Sequence, residues 1–462
     1  MSDPLSLGLC EAAEAVAAGR LSAEALTEAS LAACETRGVA LNAVVGVERE
    51  AALARARALD AEAQAGRRAG TLHGVPLAHK DVVHRAGVLC EGGAAIRRGF
   101  GPSDTADALA ALDAAGQAHV ARLHMAEFAM GPGGHNAQLG RCLNPWDESR
   151  VTGGSSSGSA AAVAARLVFG ALGSDTGGSV RLPAALCGVV GLKPTQGLLS
   201  CAGMTPLSES LDCPGPLARS ARDVGRMMDA LTGRDGYEAA AERGVAGLRI
   251  GLPRAFYYDD LEAPVAEAMD AARRALEGAG AVIVDVAVPD HAAFSDLATL
   301  VFAPEAAARH LDWLRERPQD YGPQVRARLS DGLTVSAAEH LRAKAARAHH
   351  LRAMLTGPLA EADALLTPAL RMTAPGGAET DVGAGPEMAA TVAALAALTR
   401  PVNYLGLPAI AAPAGFDPRG CPIGLQLIGR PWDEATLIAA AAAHGAATGM
   451  TRLAPPGAGG AA

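Results

Sequence analysis

Gly153-Gly-Ser-Ser-Ser-Gly-Ser159 and Gly173-Ser-Asp-Thr-Gly-Gly-Ser-Val-Arg-Leu-Pro183 are the two stretches that decide how this chain is read. Each is a glycine-rich loop that carries serine, and Ser155 and Ser179 stand twenty-four positions apart. A serine hydroxyl is a weak nucleophile until a neighbouring base takes its proton, so two such loops point to acyl transfer if a base lies close. Upstream, His73-Gly-Val-Pro-Leu-Ala-His-Lys-Asp81 supplies one, because Lys80 ends a short apolar run that reads as a buried strand. Burial disfavours the ammonium and brings a lysine down from its free pKa of about 10.4, which is what a lysine base needs. Asp81 is expected to point to the other strand face, because successive side chains alternate.

The second loop also offers a site for negative charge. Asp175-Thr-Gly-Gly-Ser179 places consecutive backbone N–H groups on a turn without bulky side chains, a nest for a developing oxyanion. The donors are expected from Thr176, Gly177, Gly178 and Ser179. Asp175 and Arg181 flank the nest and are assigned to supporting the loops, as is Gly154.

Working outward, the chain alternates helical and strand patterns. Ser6 to Ala18, Ser22 to Thr36 and Arg49 to Ala65 carry apolar residues at three and four spacing, with Ser22 as a candidate N-cap. Thr105 to Ala115, Ser159 to Arg166, Ser220 to Leu231, Val265 to Glu277 and Val335 to Ala360 read as helices. Ala118 to Leu123, Leu248 to Leu252, Ala281 to Val286 and Ala364 to Thr367 read as strands. This alternation predicts an α/β protein, an α/β/α sandwich around a large central mixed sheet. A single domain is expected over 1–453, with its catalytic core at about 70–200 and a disordered Pro/Gly/Ala tail at 454–462. Thr373 to Pro386 has no period and reads as a surface loop, with a lid or pocket rim as the sharper reading.

Together the lysine strand and the two serine loops resemble the amidase signature family, serine hydrolases of amide and related C–N bonds. Weaker matches follow in the family's order, among them Asn144-Pro-Trp-Asp147, Cys187-Gly-Val-Val-Gly-Leu-Lys-Pro194, Thr399-Arg-Pro-Val-Asn403 and Pro422-Ile-Gly-Leu-Gln-Leu-Ile-Gly429. The resemblance implies that Ser179 is the nucleophile and that Ser155 bridges it to Lys80. It also implies a cis peptide at Gly154-Ser155 and a reaction without cofactor or metal.

Composition narrows the partners. A net charge of -9 argues against a phosphate-backbone partner, so no nucleic acid is expected. The eight cysteines form no CxxC pair and read as reduced, packed thiols. No stretch reaches the roughly 18 apolar residues of a membrane span, so no membrane contact and a cytoplasmic location are expected. Oligomeric state is not legible.

Rival chemistries fit less well. Gly154-Ser-Ser-Ser-Gly158 matches GxSxG, but only inside a serine run and without a preceding strand, so a histidine-based hydrolase with His79, His84, His124 or His135 is disfavoured. His79 and His84 have no metal-ligand spacing. The glutamine-hydrolysing A subunit of a tRNA amidotransferase has this fold. It carries an aspartate for the substrate's ammonium three residues before the threonine matching Thr399, where this chain has Ala396. The expected substrate is therefore a small uncharged amide, alkyl, aryl or anilide. A carbamate (urethane) or urea-type compound is the alternative. Met130-Gly-Pro-Gly-Gly-His-Asn136, with Met130 and Gly131 as substrate contacts, the 373–386 loop and the region around Tyr404 are candidate rims. Arg371 is the one charge expected nearby.

Overall fold

A computed structural model describes residues 3–450 and 454–458. Eleven strands form one sheet: β1 (Val44–Val47), β2 (Pro76–Lys80), β3 (Ala118–Leu123), β4 (Gly170–Asp175), β5 (Val190–Lys193), β6 (Cys213–Ala218), β7 (Arg249–Leu252), β8 (Val282–Asp285), β9 (Ala364–Pro368), β10 (Ala409–Phe416) and β11 (Pro422–Gly429). Their spatial order is β1-β3-β2-β4-β6-β5-β10-β11-β9-β7-β8. β2 is parallel to β3 and β4, whereas β4 and β6 are antiparallel. The sheet is mixed, as the alternating pattern predicts.

Alternation along the strands divides the core. Leu77, Leu172 and Ile410 face the side where Leu9, Met227 and Leu437 pack, while their neighbours Ala78, Ala171 and Ala411 face Leu31, Ala161 and Val163. Helices thus cover both faces of the sheet. With few aromatics available, close approach of small residues fills the second layer. The helix Ser157–Ala164 is buried along its whole length, and a side chain at Gly158 would run into the Ala43 carbonyl and the His124 backbone.

Three elements depart from expectation. The second helix ends at Ala33 and passes into a π turn, Cys34–Gly38, although Ser22 caps it by accepting from Ala25 N at 3.0 Å. The 373–386 segment holds one helical turn, Gly377–Thr380, with Glu379 accepting from Gly376 N at 3.0 Å. One turn is too short to leave a period in the sequence. In the tail, Pro455 and Ala458 are buried and Arg37 Nη2 donates to the Pro456 carbonyl at 2.8 Å, while Pro456 and Gly457 are exposed; 459–462 lies outside the described residues. Among the described residues no helix is long and apolar enough to cross a membrane.

Candidate active site

Lys80 ends β2 in the middle of the parallel part of the sheet, and every residue of that strand is buried. Its Nζ lies 2.7 Å from Ser155 Oγ and 2.9 Å from Ser174 Oγ. Burial brings its pKa down to about 7, against the pull of Asp212 and Asp175, which favour the ammonium. Asp81 turns away, as strand alternation requires, and accepts from Arg122 Nη1 at 2.9 Å.

The Gly154-Ser155 peptide is cis. A Cβ on Gly154 would collide with the Gly131 carbonyl and come within 2.9 Å of Gly134 N, so the backbones leave no room there for a side chain. The two serine loops are joined directly: Ser156 N donates to the Ser179 carbonyl at 3.2 Å, and Ser156 Oγ donates to the Ser174 carbonyl at 3.1 Å.

Asp175 organises the second loop. Its carboxylate accepts from Gly178 N (2.8 Å), Val180 N (3.1 Å), Arg181 Nε (3.0 Å), Arg181 Nη2 (3.0 Å) and Asn403 Nδ2 (2.9 Å). Burial opposes its ionisation, but the Arg181 guanidinium and these donors hold it well below the usual carboxylate range. Arg181 reaches on to Gln426 Oε1 and Asn403 Oδ1, so the ion pair anchors the loop to β11 and to the helix Arg400–Leu405. The expected donor set is corrected at Gly178, whose N–H is already given to Asp175. Among the described residues, Thr176, Gly177 and Ser179 keep theirs free of any protein acceptor. Gly178 has φ +123°, and a Cβ there would run into the Thr399 side chain.

Ser179 lines an open cavity together with Gly131, Pro132, Leu182, Phe302, Arg328 and Arg400. Of the rim expected from sequence, Gly131 and Pro132 line this cavity and the other residues do not. Met130 lines the adjoining cavity with Glu127 and His135, because the turn at Ala129 (φ 61°) directs neighbouring residues to different sides. The 373–386 loop contributes Asp381 and Gly383 to that adjoining cavity and nothing to the one holding Ser179. Tyr404 is core, its hydroxyl donating to the Ala343 carbonyl at 2.8 Å. Arg371 is engaged with the carbonyls of Asp259 and Phe256. Arg328 and Arg400 are the charges at the pocket instead. Burial, then the neighbouring Arg400, bring Arg328 to about 10, and burial brings Arg400 to about 10.

Two further polar groups escaped the sequence reading. Ser174 accepts from Lys80, and Asp212 accepts from Thr176 Oγ1 at 2.5 Å and from Leu207 N and Ser208 N at 2.8 and 3.0 Å. Burial raises Asp212 to about 6. The histidines near the motifs are structural: His124 contacts Ser157 Oγ and the Gly140 carbonyl, His79 stacks on His119, and none of them lines the cavity at Ser179.

A buried lysine, a cis-linked serine and a serine on a free N–H nest, carried on a mixed sheet with helices on both faces, define a class of serine-dependent C–N hydrolases. The Amidase family model matches residues 25–438, and the chain belongs to this amidase signature family. It is 37% identical to the A subunit of the glutamyl-tRNA(Gln) amidotransferase of Myxococcus xanthus, covering 95% of this chain and 96% of that protein. A crystal structure of an amidase superimposes with TM-score 0.87 at 33% identity, covering 95% of this chain and 99% of the other. An s-triazine catabolic enzyme, seen in an inhibitor-bound vestigial protein complex, superimposes with TM-score 0.88 at 34% identity, covering 97% and 100%.

Proposed function

We propose that the chain, working as one unit over 1–453, hydrolyses a small linear amide through an acyl-enzyme on Ser179. Lys80 in its neutral form takes the proton of Ser155, which takes that of Ser179 as the Ser179 oxygen attacks the carbonyl carbon. The observation that carries this reading is the 2.7 Å approach of a fully buried lysine amine to Ser155, with Ser174 at 2.9 Å. A neutral amine has one lone pair; giving an N–H to Ser174 turns that pair toward Ser155. The N–H groups of Thr176, Gly177 and Ser179 receive the oxyanion. When the C–N bond breaks, the proton returns along Lys80 and Ser155 to the leaving nitrogen. Water then repeats the sequence on the acyl-enzyme. A carbamate satisfies the same steps.

A second reading is favoured by the 37% identity to the A protein of an amidotransferase: release of ammonia from glutamine for a partner protein. Against it, Ala396 lines the cavity where that relative is expected to hold an aspartate, and no acid among the described residues lines it at all. An α-ammonium would enter beside two arginines.

Turnover of a panel of primary amides, anilides, carbamates and glutamine by wild type and Ser179→Ala tests both. The proposal expects hydrolysis of non-amino-acid amides that disappears in the variant. Glutamine as the sole substrate would establish the second reading instead.

A further inference from the structure

Arg328 and Arg400 both line the cavity at Ser179, and neither has an ion-pair partner among the described residues. Nη1 of Arg328 is shielded from solvent and has no hydrogen-bond partner there. Its guanidinium lies over the Phe302 ring, 5.6 Å from the centroid. Arg400 makes one long bond, Nη1 to Thr299 Oγ1 at 3.4 Å. Asp331 and Asp296 are the acids that bear on the two arginines, and neither contacts them. Arg400 also lies against the nest, since a Cβ on Gly177 would sit 3.8 Å from its Cγ and 3.9 Å from its Nε.

Two half-buried guanidiniums at one cavity without a counter-ion, one of them with a shielded and unpaired Nη1, are poorly compensated unless something anionic completes them. Elsewhere this chain pairs its buried arginine fully, as at Arg181 with Asp175. The planar fork of arginine suits a carboxylate in two-point contact. Leu182, Leu207, Val392 and Ala396 make much of the remaining lining apolar, and no acid among the described residues lines it to receive an ammonium.

Resting on the acyl-enzyme reading, we propose that the substrate is a short amide bearing a free carboxylate and no ammonium, such as the monoamide of a small dicarboxylic acid, its carboxylate held by Arg328 and Arg400. This replaces the uncharged amide expected from the sequence. Arg400 lies against the nest that would hold the reacting carbonyl, so the acyl chain between amide and carboxylate is short.

The test is calorimetric binding to Ser179→Ala, which cannot turn over, using monoamides of dicarboxylic acids from oxamate to adipamate and their uncharged methyl-terminated counterparts. At least one monoamide is expected to bind about 10- to 100-fold more tightly than its counterpart, the range of a charge-assisted hydrogen bond. In Arg328→Gln and in Arg400→Gln, each combined with Ser179→Ala, that preference ratio is expected to fall toward one. If no monoamide binds more tightly than its neutral counterpart, the proposal is wrong. It is also wrong if the arginine changes weaken charged and neutral ligands equally, which would assign the arginines to general packing or to the oxyanion. Labelling of wild type by an uncharged fluorophosphonate separates the two levels. Labelled Ser179 without carboxylate preference overturns this inference alone, whereas an unlabelled Ser179 overturns the relay beneath it.

Discussion

Thr176 Oγ1 donates to Asp212 Oδ1 at 2.5 Å, tying the first residue of the nest to the acid whose charge bears on Lys80. Asp212 favours the ammonium form of Lys80, so its removal lowers the lysine pKa further. In the proposed relay the neutral amine is the active form, so kcat/KM should rise with pH through about 7 in wild type. In Asp212→Asn the acid limb should move to lower pH. A limb that stays in place or moves upward contradicts this coupling.

Lys80→Met should reduce turnover by about 100- to 10,000-fold, the usual contribution of a positioned base. The same variant carries a stability signature. Lys80 in the folded protein has a pKa of about 7, below its ordinary 10.5, so between these values the unfolded chain holds a proton that the folded one lacks. Stability of wild type therefore rises with pH across that window. The melting-temperature advantage of Lys80→Met over wild type should shrink as pH is raised from 7 toward 10. An advantage that grows with pH has the wrong sign for a depressed lysine.

Arg181→Met leaves the Asp175 carboxylate buried and stripped of its cation, where both side chains are now fully shielded. Breaking such a pair from one side costs about 3 to 5 kcal/mol. Denaturant unfolding should show that loss, and Asp175→Asn/Arg181→Met should recover part of it. A single variant within experimental error of wild type would mean the pair does not anchor the loop.

Gly178→Ala places a methyl group against Thr399 at a backbone angle of φ +123°, which L side chains rarely adopt. Activity should fall at least about 100-fold, as for loss of an oxyanion donor, because the nest must shift. Gly178→Ala/Thr399→Ser removes part of the contact but not the backbone conflict, so rescue should be incomplete. Full rescue by the double change would make the steric contact the whole effect.

The approach of Lys80 to Ser155 and the joining of the two serine loops were legible because the parts are marked locally. Lys80 ends an apolar run, and each serine sits in a glycine-rich loop. β3 is found at the predicted Ala118–Leu123. Asp212 carried no such mark. It reaches the nest because β4 and β6 run antiparallel with Asp175 opposite Cys213, which sets residue 212 beside Thr176. A pairing register is not written in either strand alone. Arg328 and Arg400 are concealed for a similar reason. One lies in the helix Pro323–Gly332, the other at the start of Arg400–Leu405, and both helices pack on His291–Arg309. Helical periodicity identifies a face but not its neighbour. Tyr404 was misplaced on the rim because it sits one turn beyond Arg400, where the helix has already entered the core.

Intact-mass analysis after reaction with an uncharged fluorophosphonate, followed by peptide mapping, tests the relay most directly. The account predicts one adduct, confined to Ser179, absent from Ser179→Ala and formed far more slowly in Lys80→Met near pH 7. An adduct on any other serine, or labelling of Ser179 at an unchanged rate without Lys80, would contradict it.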